Sequence, residues 1–193
     1  MNKPAVQVVR SADNQAGVSP LTLGELIAEV DRLEASASEF TLGASVLFLR
    51  NVTMEGIEPF LKHRLLTNRV RPKLTYGGYG SVRQDLVGPQ SMLGAAKPDV
   101  LVLCLMLDEL DPSYGMPGWN CQRAQEELEE LFSAVAASGA ATLAVNTFIP
   151  PFRSETGFQV SKSGTSLADE VAKLNHFIRQ HVRDNSPRFC LVD

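Results

Sequence analysis

The chain has 193 residues, of which 44% are hydrophobic and 21% charged, with a formal net charge of −4. This length predicts one domain whose core is large enough to fold without a disulfide or a metal. The acidic balance and scattered basic residues argue against nucleic acid as a partner, and no apolar run is long enough to span a membrane.

The cysteine content predicts the cellular compartment, and the spacing of apolar residues predicts the first helices and strands. Three scattered cysteines predict a reducing, cytoplasmic setting, and the polar, aperiodic residues 1–18 predict a loose tail before a domain over 19–193. Apolar residues recur at helical spacing over 23–33, and the run 45–49 (SVLFL) predicts a strand covered on both faces. A helix over 57–65 and a short strand over 73–76 follow, the strand entered through Pro72 and broken by Gly77 and Gly78.

The second half of the chain repeats this alternation. Residues 100–107 (VLVLCLML) predict a central, solvent-inaccessible strand, and a helical stripe over 128–135 ends at Gly139. A strand over 141–145, an amphipathic helix over 167–182 and a strand over 189–192 complete the pattern. Alternating apolar strands and helices predict an α/β fold: a three-layer α/β/α sandwich with a five-stranded, mostly parallel sheet.

Ligands of such sheets bind beyond the carboxyl ends of the strands. Polar or glycine residues follow the first four predicted strands: Arg50, Asn51, Thr53, Gly77, Gly78, Asp108 and Asn146. We therefore predict that one residue of the first strand end, Arg50, Asn51 or Thr53, shares one crevice with Gly78, Asp108 and Asn146. Polar residues are also expected wherever an apolar strand meets solvent, so half of this set would be solvated termini.

Two short motifs near these ends have alternative interpretations. The glycine-rich segment 77–81 (GGYGS) lacks the dinucleotide fingerprint and the phosphate-loop lysine, which favours a plain turn over backbone N–H groups that face an oxyanion. The acidic residues Asp108, Glu109 and Asp111 favour solvated loop charges over a pair that does acid–base or magnesium chemistry.

Histidine, cysteine and tryptophan give no strong catalytic pattern. None of His63, His176 and His181 has a partner at zinc spacing, so we expect no metal and no cofactor. Cys121 is predicted in the first turn of a helix, where the helix dipole can lower a thiol pKa, but no activating histidine accompanies it. Trp119 either lines a pocket or covers the start of that helix.

Several segments in one order resemble a known family. LFLRNVT, EGIEPFLKHRLL, YGGYGSVRQDLVGP and KPDVLVLCLMLDEL follow one another over residues 47–110, and VNTFIPP follows later. This order is similar to the SGNH-like N-terminal domain of FkbH-like proteins. The resemblance implies an SGNH- and flavodoxin-like sandwich. In that family the domain precedes a haloacid-dehalogenase-type phosphatase domain, and the proteins help to load glyceryl units onto acyl carrier proteins in natural-product pathways.

SGNH/GDSL hydrolases are esterases or acyltransferases with a serine after the first strand, a glycine after the second, an asparagine after the third and a late Asp-x-x-His. Carried over to this chain, the serine position falls on Asn51 or Arg50 and the glycine position on residues 77–78. The asparagine position falls near Asp108, and Asp193 would be the catalytic aspartate, with no histidine after it. The set is therefore incomplete.

Two functions follow from this resemblance. The first is a binding module without the serine nucleophile that holds an acyl or carrier-linked substrate, or an acyl carrier protein, in natural-product or glyceryl-transfer biosynthesis. The alternative is an active SGNH-type esterase or acyltransferase whose catalytic residues are altered or truncated.

Overall fold

The computed structural model describes residues 21–87, 91–138, 142–150 and 166–192. The predicted tail, Gly139 and Asp193 lie outside the described residues. The helices are α1 Leu23–Ser36, α2 Glu58–Thr67, α3 Val82–Val87, α4 Met92–Ala96, α5 Leu107–Leu110, α6 Gln122–Ser138 and α7 Leu167–Asp184. The strands are β1 Leu42–Arg50, β2 Val70–Tyr79, β3 Val100–Cys104, β4 Thr142–Asn146 and β5 Phe189–Val192. No helix in this part of the chain is long and apolar enough to cross a membrane.

The sheet has the order β2-β1-β3-β4-β5, and every described pair of neighbours is parallel. The predicted α/β fold with a five-stranded parallel sheet is confirmed. The chain moves one way from β1 to β2 and the other way from β3 onward, so the direction of winding reverses between β1 and β3. In open α/β sheets the crevice at such a reversal is where ligands bind.

Helices cover both faces of the sheet and make three layers. Because side chains alternate along a strand, successive residues of β1 point to opposite faces. The main core joins one face of the sheet to α6 and α7, and its fully buried members include Leu47, Leu49, Leu101, Leu103, Leu128, Phe132, Leu174 and Ile178. A second cluster on α1 and α2 contains Val30 and Leu66.

The central strand is shorter and less enclosed than predicted. It ends at Cys104, and α5 begins at Leu107, so the prediction of one strand over 100–107 was wrong at its end. Within β3 only Leu101 and Leu103 are buried, while the alternate residues are half-buried. The reason is that, on one side of the sheet, α2 packs on β2 and α1 packs on α2, which leaves β3 partly open on that side.

Strand β2 is longer than predicted, because neither proline nor glycine breaks it. It runs from Val70 to Tyr79 through Pro72, Gly77 and Gly78. Pro72 is tolerated since β2 is an edge strand, where a missing N–H costs no ladder bond. A register shift of one residue against β1 accommodates the glycines.

Candidate functional site at the carboxyl ends of the strands

Two asparagine side chains hold the chain just beyond the central strand. Asn51, directly after β1, donates from Nδ2 to the Met106 carbonyl oxygen at 3.1 Å and accepts from the Met106 N–H at 2.6 Å. Asn146, the last residue of β4, exchanges the same two bonds with Leu105 at 2.9 and 2.8 Å, and also donates to the Thr147 carbonyl oxygen. Each carboxamide therefore acts as one more peptide unit and extends the hydrogen-bond ladder past the strand ends.

The same device recurs behind the edge of the sheet. Asn175 of α7 donates to the Phe148 carbonyl oxygen at 2.7 Å and accepts from the Phe148 N–H at 2.8 Å. The side chains of Asn51 and Asn175 are both 5% exposed. Because each carboxamide pairs with both the N–H and the carbonyl oxygen of one backbone residue, these asparagines position the connecting segments.

Arg50 occupies the end of β1 and is only 8% exposed. Its guanidinium forms a bidentate ion pair with the Glu55 carboxylate at 3.1 and 2.5 Å and donates to the Val52 carbonyl oxygen at 3.2 Å. It also lies over the Tyr76 ring, with 5.5 Å from the guanidinium carbon to the ring centroid. The charge of Arg50 is therefore neutralised and oriented within the protein.

Tyr76 supports this arrangement from β2. Its ring stacks on Phe48 with centroids 5.0 Å apart. Burial, with contributions from the carboxylates of Glu58 and Glu55, raises the pKa of Tyr76 to about 12. The phenol accordingly stays protonated and packs as an apolar platform for Arg50.

The Gly78 N–H, an oxyanion donor in the less favoured interpretation of this segment, already has a carboxylate partner. The Gly78 N–H donates to Asp85 Oδ2 at 3.1 Å, and the Ser81 hydroxyl donates to the same oxygen at 2.7 Å. A Cβ at Gly77 would lie 2.6 Å from that oxygen and 2.7 Å from Leu49 Cδ2. The missing side chain at Gly77 thus makes room for Asp85, whose carboxylate occupies the place that a ligand oxyanion would take in the less favoured interpretation.

The acidic residues after β3 separate. Asp108 and Glu109 lie exposed on the helical turn α5, which replaces the extended segment predicted there. Asp111 is fully buried and accepts from the Ser113 N–H at 3.0 Å, the Ser113 hydroxyl at 2.6 Å and the Trp119 indole N–H at 2.8 Å. Asp111 and Trp119 therefore fold the loop before α6, and Asp111 does not form one cluster with the other two carboxylates.

Cys121 and His181 are held in packed surroundings. Cys121 precedes α6, and burial together with the adjacent Glu170 carboxylate raises its thiol pKa, the reverse of the predicted effect of the helix dipole. The His181 ring stacks on Phe132 with centroids 4.6 Å apart, and burial lowers its pKa. Among the described residues, no group of three or more histidine, cysteine, aspartate or glutamate side chains is placed to hold a metal ion.

Large apolar side chains stand in solvent along this edge of the sheet. Tyr79 at the end of β2 is 59% exposed, Met106 after β3 is 47% exposed and Ile149 after β4 is 88% exposed. Strands β2 and β4 are three positions apart in the sheet, which is about 14 Å at the usual strand spacing. Thr53 and Asp108 are exposed polar residues on the same edge.

The structure brings some of the predicted site residues together and separates others. Asn51 and Asn146, from the strands on either side of β3, hydrogen-bond to the backbone of the consecutive residues Met106 and Leu105. Arg50 lies with Phe48 and Tyr76 on one face of the sheet, whereas Gly77 and its Asp85 contact lie on the face of Leu49. Sequence reasoning missed Asp85, although it lies seven residues after Gly78, the offset at which a helix that follows a turn can reach back.

Comparisons with known proteins find solved structures only. No family model matches the chain, and no curated protein matches it. The N-terminal part of protein BF1531 from Bacteroides fragilis, a structure containing a phosphatase domain and complexed with Mg, is similar with a TM-score of 0.65 and 14% identity. The match covers 84% of this chain and 44% of that one.

A second solved structure, the acetyl xylan esterase AlAXEase, has a TM-score of 0.44 and 14% identity over 76% of each chain. The chain spans less than half of the BF1531 structure that it matches. At these identities the likeness to BF1531 concerns the fold alone. The chain therefore shares a parallel α/β/α sandwich with the N-terminal part of BF1531.

Proposed function

We propose that this chain is an SGNH-like module, related to the N-terminal domain of FkbH-like proteins, that binds an acyl or carrier-linked substrate without serine-hydrolase chemistry. The observation that carries the proposal is the row of exposed apolar side chains at the strand ends: Tyr79, Met106 and Ile149. Exposed apolar surface beside polar groups is typical of a binding site, and this one lies where open α/β sheets bind ligands.

The contacts of the nucleophile positions favour binding over catalysis. Acyl transfer through the enzyme needs an activated nucleophile, a base and oxyanion donors together. Here Arg50 is paired with Glu55, Asn51 is bonded to the Met106 backbone, and Gly78 donates to Asp85. A guanidinium and an amide are also poor nucleophiles, since neither supplies a basic lone pair near neutral pH.

The proposed ligand is an acyl or glyceryl group carried as a thioester on an acyl carrier protein. The setting is the glyceryl-transfer or related natural-product biosynthesis of the family that the chain resembles. A structure with a phosphatase domain among the similar folds supports this relationship, because FkbH-like proteins combine an SGNH-like domain with a phosphatase domain.

Binding can be measured by calorimetric titration with an acylated carrier protein and with a short S-acyl pantetheine. Met106→Asp places a charge in the apolar row at a helix N-cap, where aspartate is favourable, so the fold should persist. We expect it to weaken binding about tenfold or more, because burial of a methionine side chain contributes ~1.5–3 kcal/mol.

Leu42→Asp is the matched control. Leu42 is 62% exposed at the opposite end of β1, so its substitution should leave binding unchanged. Equal losses in both variants, or no binding by the native chain, would contradict the proposed site. Thioester cleavage during the titration would instead support the active acyltransferase.

A further inference from the structure

The two edges of the sheet differ in how they are protected. Among the described strands, β2 pairs only with β1 and β5 only with β4. Strand β2 carries Arg71, Pro72 and Lys73, and charge and proline are the usual devices that stop an edge from pairing with another chain. Strand β5 has the sequence FCLV, with neither.

The backbone of β5 offers outward hydrogen-bonding groups at two residues. The Leu143 N–H donates to the Arg188 carbonyl oxygen at 2.8 Å, so Arg188 directs its carbonyl toward β4. Groups along a strand alternate in direction, and Cys190 and Val192 therefore also face β4. It follows that the N–H and C=O groups of Phe189 and Leu191 point away from the sheet.

We propose that two copies of this chain associate through antiparallel pairing of their β5 strands. Placing Phe189 of one copy opposite Leu191 of the other uses the four outward groups of each strand, eight in all, in four hydrogen bonds. A two-fold axis at Phe189 would instead pair Leu191 with Pro187, which has no N–H. The favoured arrangement sets Cys190 opposite Cys190 on the axis.

A second copy fits this edge because a two-fold interface is made of the same surface twice. Pairing β5 with itself brings no charged side chains together, since the strand has none. The equivalent pairing of β2 would set Arg71 opposite Lys73 of the second copy, and like charges directly opposite are destabilising. The edges therefore differ in self-complementarity as well as in protection.

The arrangement gives a direct distance test. Residues opposite each other in a non-hydrogen-bonded antiparallel pair have Cα atoms about 4.5 Å apart, which is within the range that a disulfide spans. Cys190 is half-buried and unpaired in the single chain. Two Cys190 thiols facing each other across the axis should therefore oxidise to a disulfide, each thiol losing a proton to the solvent and an electron to the added copper(II) phenanthroline.

The first experiment uses variants with one cysteine. A Cys104→Ser/Cys121→Ser variant keeps Cys190, and we expect copper(II) phenanthroline to convert most of it to a disulfide-linked dimer on a non-reducing gel. A Cys121→Ser/Cys190→Ser variant keeps the half-buried Cys104 of the central strand and should form no disulfide-linked dimer on the same gel. No crosslink through Cys190, or equal crosslinking in both variants, would overturn the proposal.

The second experiment follows the mass by sedimentation velocity as concentration rises. The native chain and Cys190→Ser should shift toward twice the 21.0 kDa of one chain. Cys190→Lys places two ammonium groups face to face and should remain monomeric, with circular dichroism confirming its fold. A dimer that persists in Cys190→Lys, or a native chain that is monomeric up to about millimolar concentration, at which even weak pairing would show, refutes the interface. If Cys190→Lys does not fold, the crosslinking result decides.

Discussion

Asn51→Ala tests whether Asn51, directly after β1, stabilises the fold through its bonds to the Met106 backbone or is available to bind a ligand. The substitution removes both bonds to Met106 and leaves its N–H and carbonyl groups without these partners. The side chain is 5% exposed, so water replaces the bonds poorly. We expect a less stable protein whose strand order is unchanged.

The magnitude follows from the number of bonds lost. At about 1 kcal/mol for each net hydrogen bond, Asn51→Ala should cost ~2 kcal/mol of unfolding free energy, and Asn146→Ala, with three bonds, ~3 kcal/mol. For a chain of this size each kcal/mol lowers Tm by roughly 2–4 °C, so Asn51→Ala should lower Tm by roughly 4–8 °C. Since both asparagines hold adjacent residues, the double variant should fall short of the sum by ~0.5 kcal/mol or more.

Urea unfolding followed by circular dichroism measures these values. Asn68→Ala is the matched control, because Asn68 is exposed and its side chain donates a hydrogen bond to the Arg64 carbonyl oxygen. We expect this control to cost less than ~1 kcal/mol. If Asn51→Ala cost no more than Asn68→Ala, the bonds to Met106 would contribute nothing, and Asn51 would be available to a ligand as the sequence first indicated.

Three further predictions follow from the same edge of the sheet. Gly77→Ala should cost ~1–3 kcal/mol in chemical denaturation because its Cβ meets Asp85 and a core leucine below 3 Å, whereas at Gly43 the nearest atom is 3.7 Å away and the same change should be near neutral. Burial raises the pKa of Asp111, but the hydrogen bonds from Ser113 and Trp119 outweigh it, so this pKa lies below its usual value. The stability that the lowered pKa adds should be full above about pH 4 and should be lost as the pH falls through the pKa of the folded state. Emission of the single tryptophan measures the unfolding, and stability that does not change over this pH range would contradict the prediction. Finally, the native chain should hydrolyse nitrophenyl acetate no faster than the Asn51→Ala/Thr53→Ala variant does. A saturable rate of the native chain that is lost in this variant would support the esterase alternative.

The strands were predictable because the inner strands of a parallel sheet are continuous runs of apolar residues. Four apolar runs fall within or beside β1, β3, β4 and β5, since strands covered on both faces exclude polar residues, while the mixed run 73–76 lies in the edge strand β2. The ends were less predictable. Leu105–Met106 continues the apolar run but is held outside β3 by side chains that are distant in sequence, and periodicity carries no trace of such contacts.

The place of the candidate site stays a prediction from the sequence, whereas the contacts of its residues could not be predicted. Its position follows from topology, because the carboxyl ends of parallel strands meet at one edge. Whether Asn51 faces a ligand or the backbone depends on the position of Met106, fifty-five residues later. Likewise, Asp111 is an ordinary loop carboxylate by sequence, and only the fold shows that Trp119 and Ser113 enclose it.

The Asp85 carboxylate, bonded to the Gly78 N–H, competes with any external anion for that N–H group. A carboxylate tethered on the next helix acts at an effective concentration on the order of millimolar or higher. A free carboxylate or phosphate would have to displace the Asp85 carboxylate before it could bind the Gly78 N–H, so weakly binding anions should not bind there. Under the proposed function, we therefore expect ligands at this edge to gain their affinity from apolar contact with Tyr79, Met106 and Ile149.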